Sequence, residues 1–521
     1  MSRAVRGSYG PDKDDETLEP LVRADDGGNP VGRIRRGDSV IFYNIRGERE
    51  IELTRSLVER DFHEFPVEND LRLGYATMIQ YHEDLPVKVA FPPEGKVRDS
   101  LCEVLAQRGK RQIKITEAEK AVHLSFFLDG KSFQPFTGEE RSILPTRKDV
   151  VLFDEAPEMS IEKIRSTVID ALRDVTYDFV VVNLPNVDVV GHIENESAIR
   201  RAVEVVDETA GILLDEAGRA GVTTFVTADH GTVEKWLYPD GAIDTGHTDS
   251  PVPFMVVTGT GQVNLKKEGE LADVAPTILQ IFGIEKPAVM TGNTLLLDEH
   301  IAPSKRVMLL ILDGWGLNDE TRGNLIAASK TPVMDDLMRR HSVSRLAASG
   351  IAVGLPEGMV GNSEVGHLHI GAGRRVYSDR VRIDRAIADG SFFNNDAFLK
   401  VIDACKRSGG ALHLMGIVSF FSSHGSVDHL YALMELARRQ GVRDFFIHAM
   451  LGRRGEKPES GAIYIEKIEQ KCRELGGGVV ASVIGRYWSM DREENWDRIE
   501  KTYRMLVYGE GRPVIDFSAK G

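Results

Sequence analysis

Cysteine is the rarest residue in this sequence, with three among 521 positions: Cys102, Cys405 and Cys472. Their wide spacing excludes a disulfide framework and a cysteine-based zinc cluster, and it is typical of a reducing compartment. Long apolar runs are also absent, since none approaches the ~20 residues that a membrane-spanning helix needs. The first residues, "MSRAVRGSYGPDKDDETLEP", have no hydrophobic segment after their basic residues, so we expect no signal peptide. These absences predict a cytoplasmic protein.

Positive charge is also scarce. The 65 lysines and arginines are outnumbered by 80 aspartates and glutamates, which gives a formal net charge of −15. Such a balance argues against a broad surface for nucleic acid or anionic membranes. It leaves room for a local basic pocket that binds a small anionic metabolite.

The remaining composition is that of a globular protein, and its length predicts two or more domains. Short β-rich runs alternate with helical, charged stretches such as 198–221 and 429–441. This alternation predicts an α/β fold with largely parallel sheets. The predicted strands cover residues 39–44, 179–184, 223–228, 307–312, 411–419, 444–451 and 478–485.

Acidic residues and histidines follow three of these strands. Asp313 follows "VMLLIL", Asp188 and His192 follow "FVVVNL", and Asp229 with His230 follows "TTFVTA". Sites in open parallel sheets lie at the carboxyl ends of strands, so these side chains are expected to meet. His247 lies in a later loop, "DTGHTDSPVP". Carboxylates with imidazoles suit Mn²⁺ or Zn²⁺, and this many ligands are enough for two ions.

Ser363 lies in a glycine-flanked turn within "GMVGNSEVGHLHIG". At a helix start its hydroxyl would stay exposed, and a two-metal site could activate it to attack phosphorus. Alternatively, Ser363 is only a helix cap supported by Glu364. Any single aspartate–histidine pair is also common in turns without a ligand, so only the joint occurrence of these features favours a metal centre.

Longer motifs identify a family. "LLILDGWG", "GNSEVGHLHIGAGR", "NVDVVGH", "TADHG", "GHTDSPVPF" and "GRYWSMDREENWDRIEKTYRMLVYGEG" closely resemble those of cofactor-independent phosphoglycerate mutase, a family of the alkaline phosphatase superfamily. "NIRGER" and "EAEKAVHLSFFLDG" resemble it too. The order is rotated, because the family's usual opening stands at position 306. The chain therefore resembles a circular permutant.

The resemblance implies two α/β domains. A phosphatase-like domain with a mostly parallel sheet sandwiched by helices would cover residues 96–377. A smaller transferase-like domain would be split into 1–95 and 378–521. Two stretches whose composition is typical of linkers, "FPPEGK" (91–96) and "RRVYSD" (374–379), are then the expected hinges. The family precedent is a monomer.

The resemblance also assigns roles. One Mn²⁺ ion would be held by Asp188, His192 and His247, and the other by Asp313, Ser363, Asp229 and His230, with Zn²⁺ as the alternative metal. Ser363 would be the nucleophile, Lys120 would stabilise charge on the transferred phosphoryl group, and His424 would complete the catalytic set. Arginines would bind the phosphate and carboxylate of a phosphorylated three-carbon acid: Arg46, Arg49, Arg454, Arg486 and Arg492. Without the family, each of these arginines reads as solvated surface charge.

Two substrate loops depart from the family pattern. "SFFSSHG" (419–425) keeps His424, but Phe420 and Phe421 replace an aspartate and a glycine. "GRRG" (452–455) keeps Arg454 but has glycine in place of both acids. General acid–base help of the kind lost at Gly455 is worth roughly 10²- to 10⁴-fold in rate. Glu456, shifted by one position, is an alternative source of that acid.

Four functions remain open. The first is a phosphoglycerate mutase that acts through a phosphoserine at Ser363. The second transfers a phosphoryl or phosphonyl group from a different donor to a glycerate-like acceptor, and the third is a phosphatase. A non-catalytic ligand-binding protein is the fourth, and the seven retained metal positions argue against it. Drift of a paralogue with impaired mutase activity would also explain the altered loops.

Overall fold

The computed structural model describes residues 1–10, 14–68, 70–259, 261–298, 302–420, 422–452 and 460–515. The strands of these residues, in chain order, are β1 (Leu21–Ala24), β2 (Ser39–Phe42), β3 (Gly74–Ile79), β4 (Lys88–Phe91), β5 (Gln112–Glu117), β6 (Glu139–Leu144), β7 (Phe179–Leu184), β8 (Thr223–Thr227), β9 (Val252–Val257), β10 (Glu268–Glu270), β11 (Val307–Leu312), β12 (Ser344–Ala347), β13 (Leu412–Ile417), β14 (Phe445–Leu451), β15 (Val479–Gly485) and β16 (Arg512–Ile515).

The α-helices are α1 (Ser2–Arg6), α2 (Ile51–Val58), α3 (Leu101–Gln107), α4 (Ile161–Arg173), α5 (Asn186–Gly191), α6 (Glu196–Arg219), α7 (Val274–Ile281), α8 (Pro332–Arg340), α9 (Ser363–Ala372), α10 (Asp379–Asp389), α11 (Asp396–Ser408), α12 (Val427–Arg439), α13 (Ser460–Leu475), α14 (Arg486–Ser489) and α15 (Trp496–Tyr508). A π-helix covers His123–Phe127, directly after a 3₁₀ turn at Ala118–Lys120. Within the described ranges, no helix is both long and apolar enough to cross a membrane.

The chain forms two units. The first unit comprises residues 1–93 and 382–521, and the second unit comprises residues 94–381. The chain passes between them at 93–94 and at 381–382, close to the stretches 91–96 and 374–379. The roles of those stretches as hinges, and of the units as transferase-like and phosphatase-like domains, stay predictions.

Each unit is built on one eight-stranded sheet. In the first unit the strand order is β16-β1-β15-β14-β13-β2-β3-β4, and only the pairing of β1 with β15 is antiparallel. In the second unit the order is β10-β12-β9-β8-β11-β7-β5-β6, with β9 antiparallel to both of its neighbours. The predicted α/β fold with two domains and mostly parallel sheets is confirmed.

Strand β11, at the centre of the second unit's sheet, is apolar throughout because it is buried on all sides. All six residues of β11 are buried, and β11 pairs in parallel with β7 on one side and β8 on the other. Helix α4 packs on β5 and β7, while α6 packs on β8 and β11. A strand that has neighbours at both edges and on its faces cannot alternate apolar with polar residues. The run at 307–312, "VMLLIL", is therefore continuous.

Helix α6 shows how the sequence sets the packing of this unit. Asn195 caps its start, because the side chain accepts a hydrogen bond from the N–H of Ala198 at 3.2 Å. Ile199, Val203 and Val206 recur at helical spacing and are buried, and the same face continues to Leu213. Burying such a side chain stabilises the fold by roughly 1.5–3 kcal/mol, so this face fixes α6 on the sheet.

Candidate active site

Three aspartates meet at the carboxyl edge of the second unit's sheet. Asp313 directly follows β11, Asp229 follows β8 after one residue, and Asp188 lies on α5 just beyond β7. Since β7, β11 and β8 are adjacent parallel strands, their chain ends lie side by side. Asp229 and Asp313 are fully buried and Asp188 is nearly so. Burial of three carboxylates in one place requires positive charge nearby.

Histidines surround the carboxylate of Asp188. The Nε2 of His247 lies 3.1 Å from its Oδ1, and the Nε2 atoms of His192 and His230 lie 3.4 Å and 3.6 Å from the same oxygen. Asp188, His192 and His247 have potential ligand atoms within 4.8 Å of one another, as do Asp188, His230 and Asp313. The structure thus brings the predicted ligands together in one unit.

The other ring nitrogens of these histidines face backbone carbonyls. His192 Nδ1 lies 2.7 Å from the carbonyl of Thr245, and His247 Nδ1 lies 3.0 Å from that of Gly361. A carbonyl only accepts, so each Nδ1 donates its hydrogen and each neutral ring presents the Nε2 lone pair to Asp188. Lone pairs that converge on a carboxylate repel unless a cation lies between them. The donor set therefore fits divalent metal ions.

Ser363 is the first residue of α9, and Asn362 rather than Ser363 is the cap. The Asn362 side chain accepts a hydrogen bond from the N–H of Val365 at 3.0 Å, so the interpretation of Ser363 as a mere cap is wrong. A Cβ on Gly366 would lie 2.5 Å from the carbonyl oxygen of Asp229. This glycine lets the first turn of α9 approach the end of β8 and sets Ser363 among the acids.

The hydroxyl of Ser363 lies between a lysine and a histidine. Lys120 Nζ donates to Ser363 Oγ at 2.6 Å, and His230 Nε2 lies 2.9 Å from the same oxygen. Lys120 also donates to Asp188 Oδ2 at 2.6 Å and to Asp313 Oδ1 at 2.8 Å. The candidate nucleophile Ser363 and the ammonium group of Lys120 therefore share one buried space with three candidate metal ligands: Asp188, Asp313 and His230.

The charges of this site perturb one another. Burial alone would lower the pKa of Lys120, but Asp313, Asp188 and Asp229 outweigh it and raise that pKa above its usual range. Burial opposes ionisation of Asp188, yet Lys120 and His230 hold its pKa well below the ordinary value. Burial and the neighbouring Asp229 raise the pKa of Asp313. One ammonium group faces three carboxylates, which leaves a negative site that suits cations.

Sequence reasoning missed two polar residues of this site. His367 lies one helical turn after Ser363, with its Nδ1 3.3 Å from Asp229 Oδ2, and it forms a third possible ligand group with Asp229 and Asp313. Asn183, the one polar residue of β7, donates to Asp313 Oδ2 at 2.7 Å. The signals were the i, i+4 spacing in "SEVGH" and a polar residue in an apolar strand. Asp229 Oδ2 is buried and accepts no well-aligned hydrogen bond, which further fits a cation ligand.

The first unit holds the predicted substrate arginines that the structure describes. Glu48 bridges two of them, 3.0 Å from Arg46 and 2.7 Å from Arg492. Arg49 donates to the carbonyl of Met490 at 3.0 Å, just before Arg492 in the chain. Arg486 begins α14, with its Nε 3.6 Å from Glu16. Arg454 lies outside the described residues.

The two altered substrate loops differ in how much of them is described. Phe420 is partly exposed and meets Tyr464 edge to face with centroids 4.9 Å apart, and Lys467 lies 4.1 Å above its ring. His424 is buried beside Glu50. Gly452 has φ +104°, and a Cβ there would lie 2.6 Å from the Cα of Glu16. Glycine at 452 is therefore required by the backbone. Phe421, Gly455 and Glu456 lie outside the described residues.

Two family models match this chain. "BPG-independent PGAM N-terminus (iPGM_N)" matches residues 383–520, and "Metalloenzyme superfamily" matches residues 25–286, half of the chain. Proteins named 2,3-bisphosphoglycerate-independent phosphoglycerate mutase are similar in sequence. Those of Lachnoclostridium phytofermentans and Moorella thermoacetica are 51% and 50% identical, each over 40% of this chain and over 40% and 41% of their own length. That of Pseudomonas syringae pv. tomato is 39% identical over 57% of this chain and 56% of its own.

A solved structure of Leishmania mexicana phosphoglycerate mutase at low cobalt concentration is 29% identical, with a TM-score of 0.36, over 52% of this chain and 53% of that chain. This chain thus spans about two fifths to just over half the length of the relatives it matches. The metalloenzyme match contains the strand-end residues Asp188 and Asp229, and the mutase match contains Arg486 and Arg492. The chain belongs to the metalloenzyme superfamily, and it is similar in sequence to cofactor-independent phosphoglycerate mutases.

Proposed function

We propose that this protein is a metal-dependent phosphoryl transferase that interconverts 2- and 3-phosphoglycerate through a phosphoserine at Ser363. The observation that carries the proposal is the hydroxyl of Ser363, placed at the start of α9 within 2.6 Å of Lys120 Nζ and 2.9 Å of His230 Nε2. Relatives named phosphoglycerate mutase support the substrate class, a phosphorylated three-carbon acid.

In the first half reaction, Ser363 Oγ loses its proton and forms a bond to phosphorus, the bond from phosphorus to the glycerate oxygen breaks, and that oxygen gains a proton. In the second half, the other glycerate hydroxyl loses its proton and attacks the phosphoserine, the bond from phosphorus to Oγ breaks, and Ser363 regains a proton. Lys120 holds a positive charge against Oγ, which stabilises negative charge there as the bond to phosphorus breaks. The backbone N–H groups at the start of α9 favour the anionic phosphoryl group at the same place.

The metal ligands proposed are the predicted ones. Asp188, His192 and His247 would hold one divalent ion, and Asp313, Asp229, His230 and Ser363 the other, with Mn²⁺ favoured by the mixed carboxylate and imidazole donors and Zn²⁺ as the alternative. When bound, the ions supply positive charge that activates an oxygen nucleophile and neutralises a phosphoryl group. The convergence of three buried aspartates with the buried His230, the half-buried His247 and the exposed His192 supports this assignment.

We also propose that the chain is a circular permutant. The model named for the mutase N-terminus matches residues 383–520, after the metalloenzyme match at 25–286. Strand β11 follows β7 and β8 in the chain yet lies between them in the sheet. A dot plot against the Pseudomonas syringae relative tests this: two diagonals in exchanged order support it, and one continuous diagonal overturns it. A monomeric state and residence in the cytoplasm are further parts of the proposal.

A second candidate keeps the phosphoserine but changes the partner of the reaction. Phe420 and the required glycine at 452 stand where the family pattern has acids, which favours transfer of a phosphoryl or phosphonyl group to another glycerate-like acceptor. The positive φ of Gly452 and its close approach to Glu16 are the specific observations behind it.

One time course separates the candidates. The protein is incubated with Mn²⁺ and 3-phosphoglycerate and followed by ³¹P NMR. The mutase predicts 2-phosphoglycerate at constant organic phosphate. Release of inorganic phosphate indicates a phosphatase, and an unchanged spectrum favours the second candidate. The Ser363→Ala variant is the control in each case.

A further inference from the structure

Glu50 is a buried carboxylate whose position next to His424 no predicted role explains. It immediately precedes α2 and is fully buried. One oxygen, Oε1, lies 3.1 Å from His424 Nδ1 and accepts a hydrogen bond from Asn44 Nδ2 at 2.7 Å. The other, Oε2, accepts from the backbone N–H of Arg49 at 3.0 Å. Both oxygens are therefore satisfied within the first unit.

Hydrogen bonds connect the backbone segments that carry Glu50 and His424. The N–H of Ile45 donates to the carbonyl of His424 at 2.7 Å, and Asn44 Oδ1 accepts from the N–H of Ile417 at 2.8 Å. Tyr81 donates its hydroxyl to the carbonyl of Asn44 at 2.9 Å. The segment that carries Glu50 is thus fixed to the end of β13 and to the loop that carries His424. These contacts fix the distance between the Glu50 carboxylate and the His424 imidazole.

The contact selects one form of the ring. An ionised carboxylate only accepts, so Nδ1 of His424 must carry the hydrogen, and the lone pair of the neutral ring lies on Nε2. When Nε2 takes a proton, the carboxylate stabilises the imidazolium that results. This is the arrangement by which a carboxylate orients a catalytic histidine as a general acid or base.

We propose that Glu50 is a positioning residue for His424: it holds the ring with its hydrogen on Nδ1, so that Nε2 is the nitrogen that takes and gives a proton in catalysis. This inference rests on the proposed function.

The pair can be tested in the full-length protein without any substrate. Histidine nitrogens are labelled with ¹⁵N, and His424 is assigned as the ring whose signals disappear in His424→Gln. The proposal expects a protonated Nδ1 in the wild-type neutral ring and loss of that preference in Glu50→Gln. Glu52→Gln is the matched control, because Glu52 is a buried glutamate of the same segment that bonds to the N–H of Glu494 instead. A wild-type ring protonated on Nε2 overturns the proposal, even if Glu50→Gln does not fold.

Kinetics test the consequence for catalysis. For a mutase-active wild type, Glu50→Gln is expected to lower kcat about tenfold or more at nearly constant KM, and Glu52→Gln to leave it within about twofold. Adding Glu50→Gln to His424→Gln should cost nothing further, because a positioning residue acts only through its partner. Additive losses, or full activity in Glu50→Gln, overturn the proposal. A wild type that turns over neither phosphoglycerate refutes the proposed function instead. In that case the ¹⁵N measurement of the His424 tautomer alone tests whether Glu50 positions the ring.

Discussion

Lys120 Nζ lies 2.6 Å from Ser363 Oγ, although the two residues are 243 positions apart in the chain. The same ammonium group contacts two candidate metal ligands, Asp313 directly after β11 and Asp188 on α5 beyond the neighbouring parallel strand β7. Lys120 thereby links the candidate nucleophile to the candidate metal centre. Because the acids raise its pKa, it stays charged at neutral pH and can stabilise an anionic oxygen.

Replacing Lys120 should therefore impair chemistry more than substrate binding. For Lys120→Met, we expect kcat to fall about 10²-fold or more with a smaller change in KM, as when a preorganised donor to a developing charge is removed. Steady-state kinetics with 3-phosphoglycerate measure this. Lys163→Met, an exposed lysine of α4 in the same unit, is the matched control. If Lys120→Met kept kcat within about twofold of the wild type, Lys120 would not stabilise the reacting oxygen.

Metal binding should stabilise the second unit through Asp188. Ligand that binds only the folded state raises stability by RT ln(1 + [L]/Kd), about 2.7 kcal/mol at a hundredfold excess over Kd. We expect Mn²⁺ to raise the midpoint of thermal unfolding over that in chelator, as measured by calorimetry, and Asp188→Asn to abolish most of the increment. The exposed Asp240→Asn variant should keep it. Equal increments in both variants would contradict the assigned ligands.

An acid cannot simply be restored at position 452. Gly452 has φ +104°, and any Cβ would meet Glu16 Cα at 2.6 Å. Gly452→Asp should lower the free energy of unfolding by roughly 1–3 kcal/mol through backbone strain. Urea denaturation measures the loss. Gly259→Asp serves as the control, because a Cβ there meets nothing within 4 Å. Wild-type stability in Gly452→Asp would show that the backbone does not require glycine.

Four polar residues cross the sheet of the first unit as a buried network. His413 Nε2 lies 3.1 Å from Asp38 Oδ2, and its Nδ1 lies 2.9 Å from His448 Nε2. His448 Nδ1 lies 2.8 Å from Ser482 Oγ. Burial, with His413 next to it, lowers the pKa of His448 well below its usual range. Burial would raise the pKa of Asp38, but hydrogen bonds from His413 and from the N–H of Ala411 outweigh it and lower that pKa.

The network makes stability depend on pH. The unfolded chain protonates His448 near pH 6.5 and the folded protein does not, so this residue reduces stability as pH falls below about 6.5, by up to about 1.4 kcal/mol per pH unit. Asp38 adds nothing to this slope between pH 7 and 5, since its stabilisation is lost only below its unfolded pKa of about 3.9. His448→Gln should therefore show a shallower loss than the wild type in urea denaturation at pH 7, 6 and 5. The exposed His63→Gln variant should keep the wild-type slope, and an unchanged slope in His448→Gln would contradict this account.

Strands buried on both faces by apolar residues were predictable, and strands with paired charges were not. The run at 307–312 gave β11 at its observed bounds. Strand β5, "QIKITE", is fully buried but is not predicted from the sequence, because Lys114 lies in its middle and pairs with Asp129 and Glu139 only in the folded unit. Nothing local marks a lysine as paired. Strand β9 was read as part of a loop motif, since Pro253 stands near its start.

The residues of the candidate site likewise fall into those that the sequence predicts and those that it does not. Asp313 and Asp229 could be placed by reading the ends of apolar strands, because parallel topology brings those ends together. Asn183 and Glu50 could not, since their importance depends on contacts with residues 130 and 374 positions away. The sequence pattern identifies site residues that directly follow a strand. Only the fold identifies residues that contact those site residues from distant positions in the chain.

The most direct test of the central claim is a rapid-quench reaction with Mn²⁺ and 3-phosphoglycerate, followed by mass spectrometry of the intact chain and its peptides. We predict an added phosphoryl group on the peptide that contains Ser363, formed within one turnover and absent from Ser363→Ala. Ser166→Ala, which removes an exposed hydroxyl from α4, should be phosphorylated as the wild type is. Turnover without phosphorylation of Ser363, or phosphorylation that persists in Ser363→Ala, would contradict the account.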